Sequence, residues 1–270
     1  MESEFTVSFL NTLIGGHLSY LDLIVIGLAA VGGGFVNAVA GGGTLITFPM
    51  LTAVGVPPVI ANVTNTVALC PGYIGGTLAQ RKDLHGQRTR LWMLLPTGII
   101  GGIAGGVLLL STSDAVFRKL IPYLILTAVI LLAFQDRLRN AVMSRMSGNG
   151  STHPHEAWSI PPIFFAAVYG GYFGAGLGVM MLAVLGLVLD DSLTRLNALK
   201  QSLSFVINVA AAVFFLFSGK VLWTAAAVMS VSALAGGVIG GRVASRIKPI
   251  VLRWIVIVVG LAVAVIYFVR

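Results

Sequence analysis

Eight apolar blocks run along the chain, at about 23–54, 58–79, 91–110, 118–135, 160–189, 193–217, 222–241 and 251–269, with short polar turns between them. Most are close to twenty residues, enough for a helix rising 1.5 Å per residue to cross roughly 30 Å of hydrocarbon. The pattern predicts an all-α membrane protein of about eight transmembrane helices. Four blocks are followed by four more, divided by the polar stretch DRLRNAVMSRMSGNGSTHPHEAWS at 136–159, which reads as a solvated cytoplasmic linker. The expected organisation is an N-terminal segment at 1–21, a first transmembrane repeat at 22–135, the linker at 136–159 and a second transmembrane repeat at 160–270.

Sliding the sequence against itself by 135 residues supports the duplication. Ala40-Gly41-Gly42-Gly43 falls on Ala175-Gly176-Leu177-Gly178, Asn62 on Asn197, and Gly101-Gly102-Ile103-Ala104-Gly105-Gly106 on Gly236-Gly237-Val238-Ile239-Gly240-Gly241, all without a gap. The first block of each repeat is too long for one upright helix and is interrupted by glycines, which each weaken a helix by about 1 kcal/mol relative to alanine. Two half-helices meeting at a turn or re-entrant tip are therefore expected in each repeat. Such backbone is tolerated at membrane depth where it lines a cavity or is buried in protein.

Composition changes the solvent rather than the pattern. With 57% hydrophobic and 10% charged residues, the chain cannot face water everywhere, which excludes soluble enzymes, nucleic-acid modules and disordered linkers. The net charge of +8 sits in short loops and reads as a topology signal. If each first block goes in and returns, twelve of the 17 basic residues fall on one face, in the 80–90, 136–159 and 242–253 loops and at Arg195. That count places both termini outside a bacterial inner membrane and makes the second repeat the inverse of the first. The acidic start of the chain predicts no cleaved signal, and the single cysteine, Cys70, excludes an internal disulfide or thiolate cage.

The segments GGGFVNAVAGGGTLITFPMLTAVGVPPVIANVTN with QRKDLHGQRTR, and YGGYFGAGLGVMMLAVLGLVLDDSLTRLNALKQSLSFVINVAAAVFFLFSGKVLW, resemble the two repeats of the sulfite exporter TauE/SafE family. The resemblance implies a multi-pass transporter of small anions, sulfite or organosulfonates, often acting in export.

The residues themselves point the same way. A half-helix starting after a glycine tip aims unpaired backbone N–H groups and the positive end of its dipole into the membrane, an anion site that needs no charged side chain. The candidate substrate-binding residues are Gly41, Gly42, Gly43, Thr44, Gly176 and Gly178 at the tips, Asn62, Asn65 and Thr66 in the first repeat, and Asn197, Lys200, Gln201, Ser204 and Asn208 in the second. Asn197, Gln201, Ser204 and Asn208 recur at helical spacing and share one face, and Lys200 is the single basic side chain placed inside a span. Polar groups at that depth are expensive and face a cavity or a partner helix. The GGIAGG and GGVIGG segments read as close helix packing, Asp190 and Asp191 as caps of the helix near Leu193, and Trp92, Trp158, Trp223 and Tyr267 as interfacial anchors.

Neither catalytic residues nor a cofactor or metal is expected: the spans hold no histidine, and His153-Pro154-His155-Glu156 lies in the linker without a second ligand pair. The expected partners are a small anionic substrate and membrane lipids, with no nucleic acid. The reading is alternating-access transport at a midplane site between inverted repeats, set against an anion channel, a carrier of another small organic acid, and a membrane-embedded enzyme. With every acid in a loop or at a span edge, coupling is expected to use a cation held by backbone carbonyls and Asn or Thr oxygens, or a proton on the substrate.

Overall fold

The computed structural model describes residues 18–39, 42–79, 81–147, 159–189, 191–243 and 249–269. Gly41, Asp190, Trp158 and the His153–Glu156 segment lie outside them. The described chain is all helical: α1 (Tyr20–Val39), α2 (Thr44–Ala53), α3 (Pro58–Ala79), α4 (Arg88–Ser111), α5 (Asp114–Ala133), α6 (Gln135–Ser147), α7 (Ile160–Tyr172), α8 (Leu177–Val188), α9 (Leu193–Leu216), α10 (Trp223–Val243) and α11 (Pro249–Val269). Among the described residues, five helices are long and apolar enough to cross a membrane, in α1, α4, α5, α9 and α10.

Three of the remaining apolar helices are shorter, because each glycine-interrupted block divides, whereas α3 and α11 run for 22 and 21 residues. The first gives α1 and α2 and the second gives α7 and α8, with α2, α7 and α8 only ten to thirteen residues long. The polar stretch after α5 is not all linker: Gln135–Ser147 forms α6, which touches α8. Its polarity hid it from a search for apolar periodicity.

The two glycine-pair segments act where helices cross closely. Between α4 and α7, a methyl added to Gly101 would stand 2.6 Å from the Ala167 Cβ, and one on Gly105 would strike the Val168 carbonyl. Between α1 and α10, the carbonyls of Val31 and Ala233 abut Gly236 and Gly34, and the Phe35 carbonyl would lie 2.7 Å from a methyl on Gly240. Small residues let backbones approach in lipid, where apolar burial between helices contributes little. The closest packing therefore joins the first half of the chain to the second.

The other contacts follow suit. Helix α3 packs along α10 and α9 along α4, while α5 packs antiparallel to α11. Gly260 meets Val129, the rings of Tyr123 and Phe268 meet edge to face at 5.3 Å, and Arg253 pairs with Asp136 at 2.7 Å. At the opposite end, the Tyr267 hydroxyl donates to Thr52 Oγ1 at 2.7 Å, so this residue is fastened to α2 as well as placed at a span end.

Candidate functional site

A cavity of about 450 Å³ lies where the broken blocks approach α9. Its floor is the turn between α7 and α8. Gly174 and Gly176 adopt φ of +75° and +74°, the left-handed region that glycine enters without Cβ strain. Gly176 caps α8 without any side-chain hydrogen bond. The turn is fastened from behind, with Tyr169 Oη donating to the Ala175 carbonyl at 2.7 Å and Asn62 Nδ2 to the Tyr172 carbonyl at 2.8 Å. A Cβ at Gly178 would meet no heavy atom within 4 Å, but the expected row of unpaired amides is largely closed within the turn: Leu177 N–H donates to the Gly174 carbonyl at 3.2 Å, and those of Val179 and Met180 donate to the Gly176 carbonyl at 3.0 and 3.1 Å. The opening of α2 joins it through Gly42, with φ of +91°, and Thr44.

Helix α9 forms the polar wall. Asn197, Lys200, Gln201 and Ser204 line the cavity, spaced so that they share a face. Lys200 lies about 10 Å and Ser204 about 16 Å along the helix from Leu193, at 1.5 Å per residue. The Ser204 hydroxyl is buried and has no hydrogen-bond partner. Among the described residues no carboxylate pairs with Lys200, which leaves it the basic residue of the lining.

Several candidates sit elsewhere. Gly43 is packed against the Gly33 backbone. Asn65 accepts a hydrogen bond from the Thr47 hydroxyl, Thr66 donates to the Asn62 carbonyl at 2.9 Å, and all three α3 candidates are buried. Asn208, on the same stripe as Ser204, turns its amide to the Ser204 carbonyl at 2.7 Å beyond the cavity floor. Conversely, Asn37, Tyr73, Gln135 and Thr194 line the space although nothing marked them in the sequence.

The mouth is held by charge. Asp191 is not the cap of α9: Ser192 is, its hydroxyl accepting from the Arg195 amide at 3.4 Å. The shorter Ser192 side chain reaches that amide, while Asp191, one residue earlier, pairs with Arg90 and lies 2.8 Å from Arg195 Nε. Arg195 also donates to the His85 carbonyl at 2.8 Å, tying the 81–90 loop to the start of α9. Burial pushes the Asp191 carboxyl up, but hydrogen bonds from Arg195, the Ser192 amide and Arg90 outweigh it, so the pKa falls below its ordinary value.

A depressed carboxyl stabilises the fold in full above its unfolded pKa, near 4, and loses that contribution as pH falls through the folded value. Asp191→Asn is expected to cost about 1–2 kcal/mol at neutral pH. It should also flatten the acid side of the melting profile, as read by thermal unfolding in detergent across pH 2 to 7. Gradient-driven transport should survive the change.

The sequence profile described as sulfite exporter TauE/SafE matches residues 25–267. A probable membrane transporter protein of Haemophilus influenzae is 28% identical over 244 residues, covering 88% of this chain and 91% of its own. The probable membrane transporter protein YfcA of Escherichia coli K12 is 26% identical over 267 residues, 96% of this chain and 91% of its own. A third relative, the probable membrane transporter protein ORF9 of a Sinorhizobium species, is 23% identical over 248 residues, 92% and 93% of the two chains. No solved structure matches.

Proposed function

Because the chain belongs to the sulfite exporter TauE/SafE family and is a multi-pass membrane transporter rather than an enzyme, we propose that it carries a small anion, sulfite or an organosulfonate, by alternating access. The observation that carries this reading is the composition of the cavity: the half-helix openings at Gly42–Thr44 and Gly176–Gly178 share one space with Lys200 and neutral hydrogen-bonding side chains. Two positive dipole ends and one ammonium suit an anion of low charge, and hydroxyls and amides supply donors to its oxygens. The candidates Gly42, Thr44, Gly176, Gly178, Asn197, Lys200, Gln201 and Ser204 form the site in this reading, with Asn37, Tyr73, Gln135 and Thr194 added.

The inverted-repeat proposal draws support from packing. Exchanging the halves maps α1 against α10 onto α7 against α4, maps α3 against α10 onto α9 against α4, and leaves α5 against α11 in place. The polar mouth adjoins the basic 81–90 loop and Arg195, which fits a cavity opening to the cytoplasm of an inner-membrane protein, with both ends of the chain outside.

Purified protein in liposomes tests the reading with sulfite, sulfate, an alkylsulfonate and a carboxylate, with and without sodium and proton gradients. The expected result is saturable uptake with counterflow, strongest for sulfite or the sulfonate. Flux that neither saturates nor exchanges would make the protein a channel, and preference for the carboxylate would reassign the substrate.

A further inference from the structure

Four aromatic rings cluster behind the turn that forms the cavity floor. Phe48 of α2, Phe117 in the first turn of α5, and Tyr172 and Phe173 at the α7–α8 turn are all buried. They pack edge to face: Phe48 to Phe173 at 5.3 Å, Phe117 to Tyr172 at 5.6 Å, Phe48 to Phe117 at 6.3 Å and Phe117 to Phe173 at 6.4 Å. Phe173 directly precedes Gly174 of the cavity floor. Gln135 of the cavity lies eighteen residues beyond Phe117, about 27 Å at 1.5 Å per residue, so the cluster and the lower lining stand at opposite ends of α5. On the far side of the rings, the Tyr172 hydroxyl meets Thr112 at the end of α4.

The 135-residue offset sharpens the contrast. Tyr172 and Phe173 superpose on Asn37 and Ala38, and Asn62 on Asn197. Asn37, Ala38 and Asn197 line the open cavity, whereas Tyr172, Phe173 and Asn62 are packed shut. Asn62 keeps a fully buried Oδ1 with no hydrogen-bond partner, an acceptor whose desolvation is uncompensated here and would be relieved by water if the rings parted.

We propose that Phe48, Phe117, Tyr172 and Phe173 are the outer gate of the transport path, and that their separation opens a second vestibule past Asn62 toward the outer face. The assignment rests on the alternating-access reading above and adds which side chains must move. The rings interlock rather than fuse, through edge-to-face contacts that are individually weak and that substrate binding can offset.

The test uses the full chain with Cys70→Ser, carrying Phe48→Cys, Phe173→Cys and Phe117→Cys, in oriented liposomes. A short bis-maleimide, whose thioether links sulfite does not cleave, joins positions 48 and 173, and an impermeant maleimide is applied from the outer face. Without the cross-link, Cys at 117 is expected to label, since opening exposes it. With the cross-link, labelling should slow more than tenfold and sulfite exchange should fall more than tenfold. Binding of radiolabelled sulfite from the cavity side should persist in the locked protein, because the cavity stays open on its own side.

The single variant Phe117→Cys, which removes one ring, gives the same labelling measurement with less disturbance of the core. Equal labelling and exchange with and without the cross-link would overturn the gate, as would absence of outside labelling in the single variant. Because the thiol readout needs no substrate, a protein that carries no sulfite would defeat the substrate assignment while still deciding the gate.

Discussion

Replacing Lys200 with alanine is expected to weaken sulfite affinity about 10- to 100-fold while leaving the thermal midpoint within a few degrees of the parent. A hydrogen-bonded charge contributes about 1.5–3 kcal/mol, and 1.4 kcal/mol is a factor of ten in affinity. Lys200 lines the cavity rather than the core, so its removal leaves no packing void. Lys200→Met keeps the apolar stem and should show the same affinity loss, which separates the charge from the stem. Lys200→Arg should rescue only in part, because a planar guanidinium and a compact ammonium differ in hydration and shape. Unchanged binding of radiolabelled sulfite in both the alanine and methionine variants would assign the lysine to snorkelling toward the mouth instead. Asn197→Ala should give a smaller loss, of the size of one neutral hydrogen bond.

The second large effect comes from two glycines that occupy equivalent places in the sequence and unlike places in the fold. Gly178→Leu is expected to leave a folded, membrane-inserted protein with transport reduced more than a hundredfold. Its side chain would enter open space and fill the approach to the α8 backbone. Gly43→Leu is expected to fail earlier, giving poor yield and a low melting temperature, because its side chain would collide with the Gly33 carbonyl and lie 3.1 Å from Asn37 Cβ. Overpacking of a rigid backbone crossing is destabilising by a few kcal/mol. Detergent-extracted yield, melting curves and sulfite uptake, measured on both, separate a blocked site from a broken fold. Similar behaviour of the two variants would remove the distinction.

The difference between these glycines shows where sequence reading reached its limit. The tips themselves were legible, because glycine enters positive φ without Cβ strain, and Gly42 and Gly176 do so at +91° and +74°. The stripe on α9 was legible as far as Ser204, since a polar group inside a span needs either water or a partner. Asn208 repeats the spacing but finds its partner in the helix's own backbone, a choice that periodicity cannot express. The α3 candidates illustrate a deeper limit. An internal repeat specifies which residues are equivalent, but not which member of each pair faces the open side in one conformation. Asn37, Tyr73 and Gln135 escaped because single polar residues inside glycine-rich or apolar runs carry no period. The polar helix α6 escaped because its sequence lacks the apolar stripe by which helices are recognised.

The glycine crossings between α1 and α10 and between α4 and α7 also bear on biosynthesis. A nascent chain that has released only its first half exposes the bare backbone grooves of α1 and α4, and their complementary ridges are not yet translated. Neither half can complete its own close packing, so consolidation must wait for α7 and then α10 to enter the bilayer. The halves expressed as separate polypeptides should accordingly be degraded alone and accumulate together, with assembly order set by the ribosome rather than by the strength of any one contact.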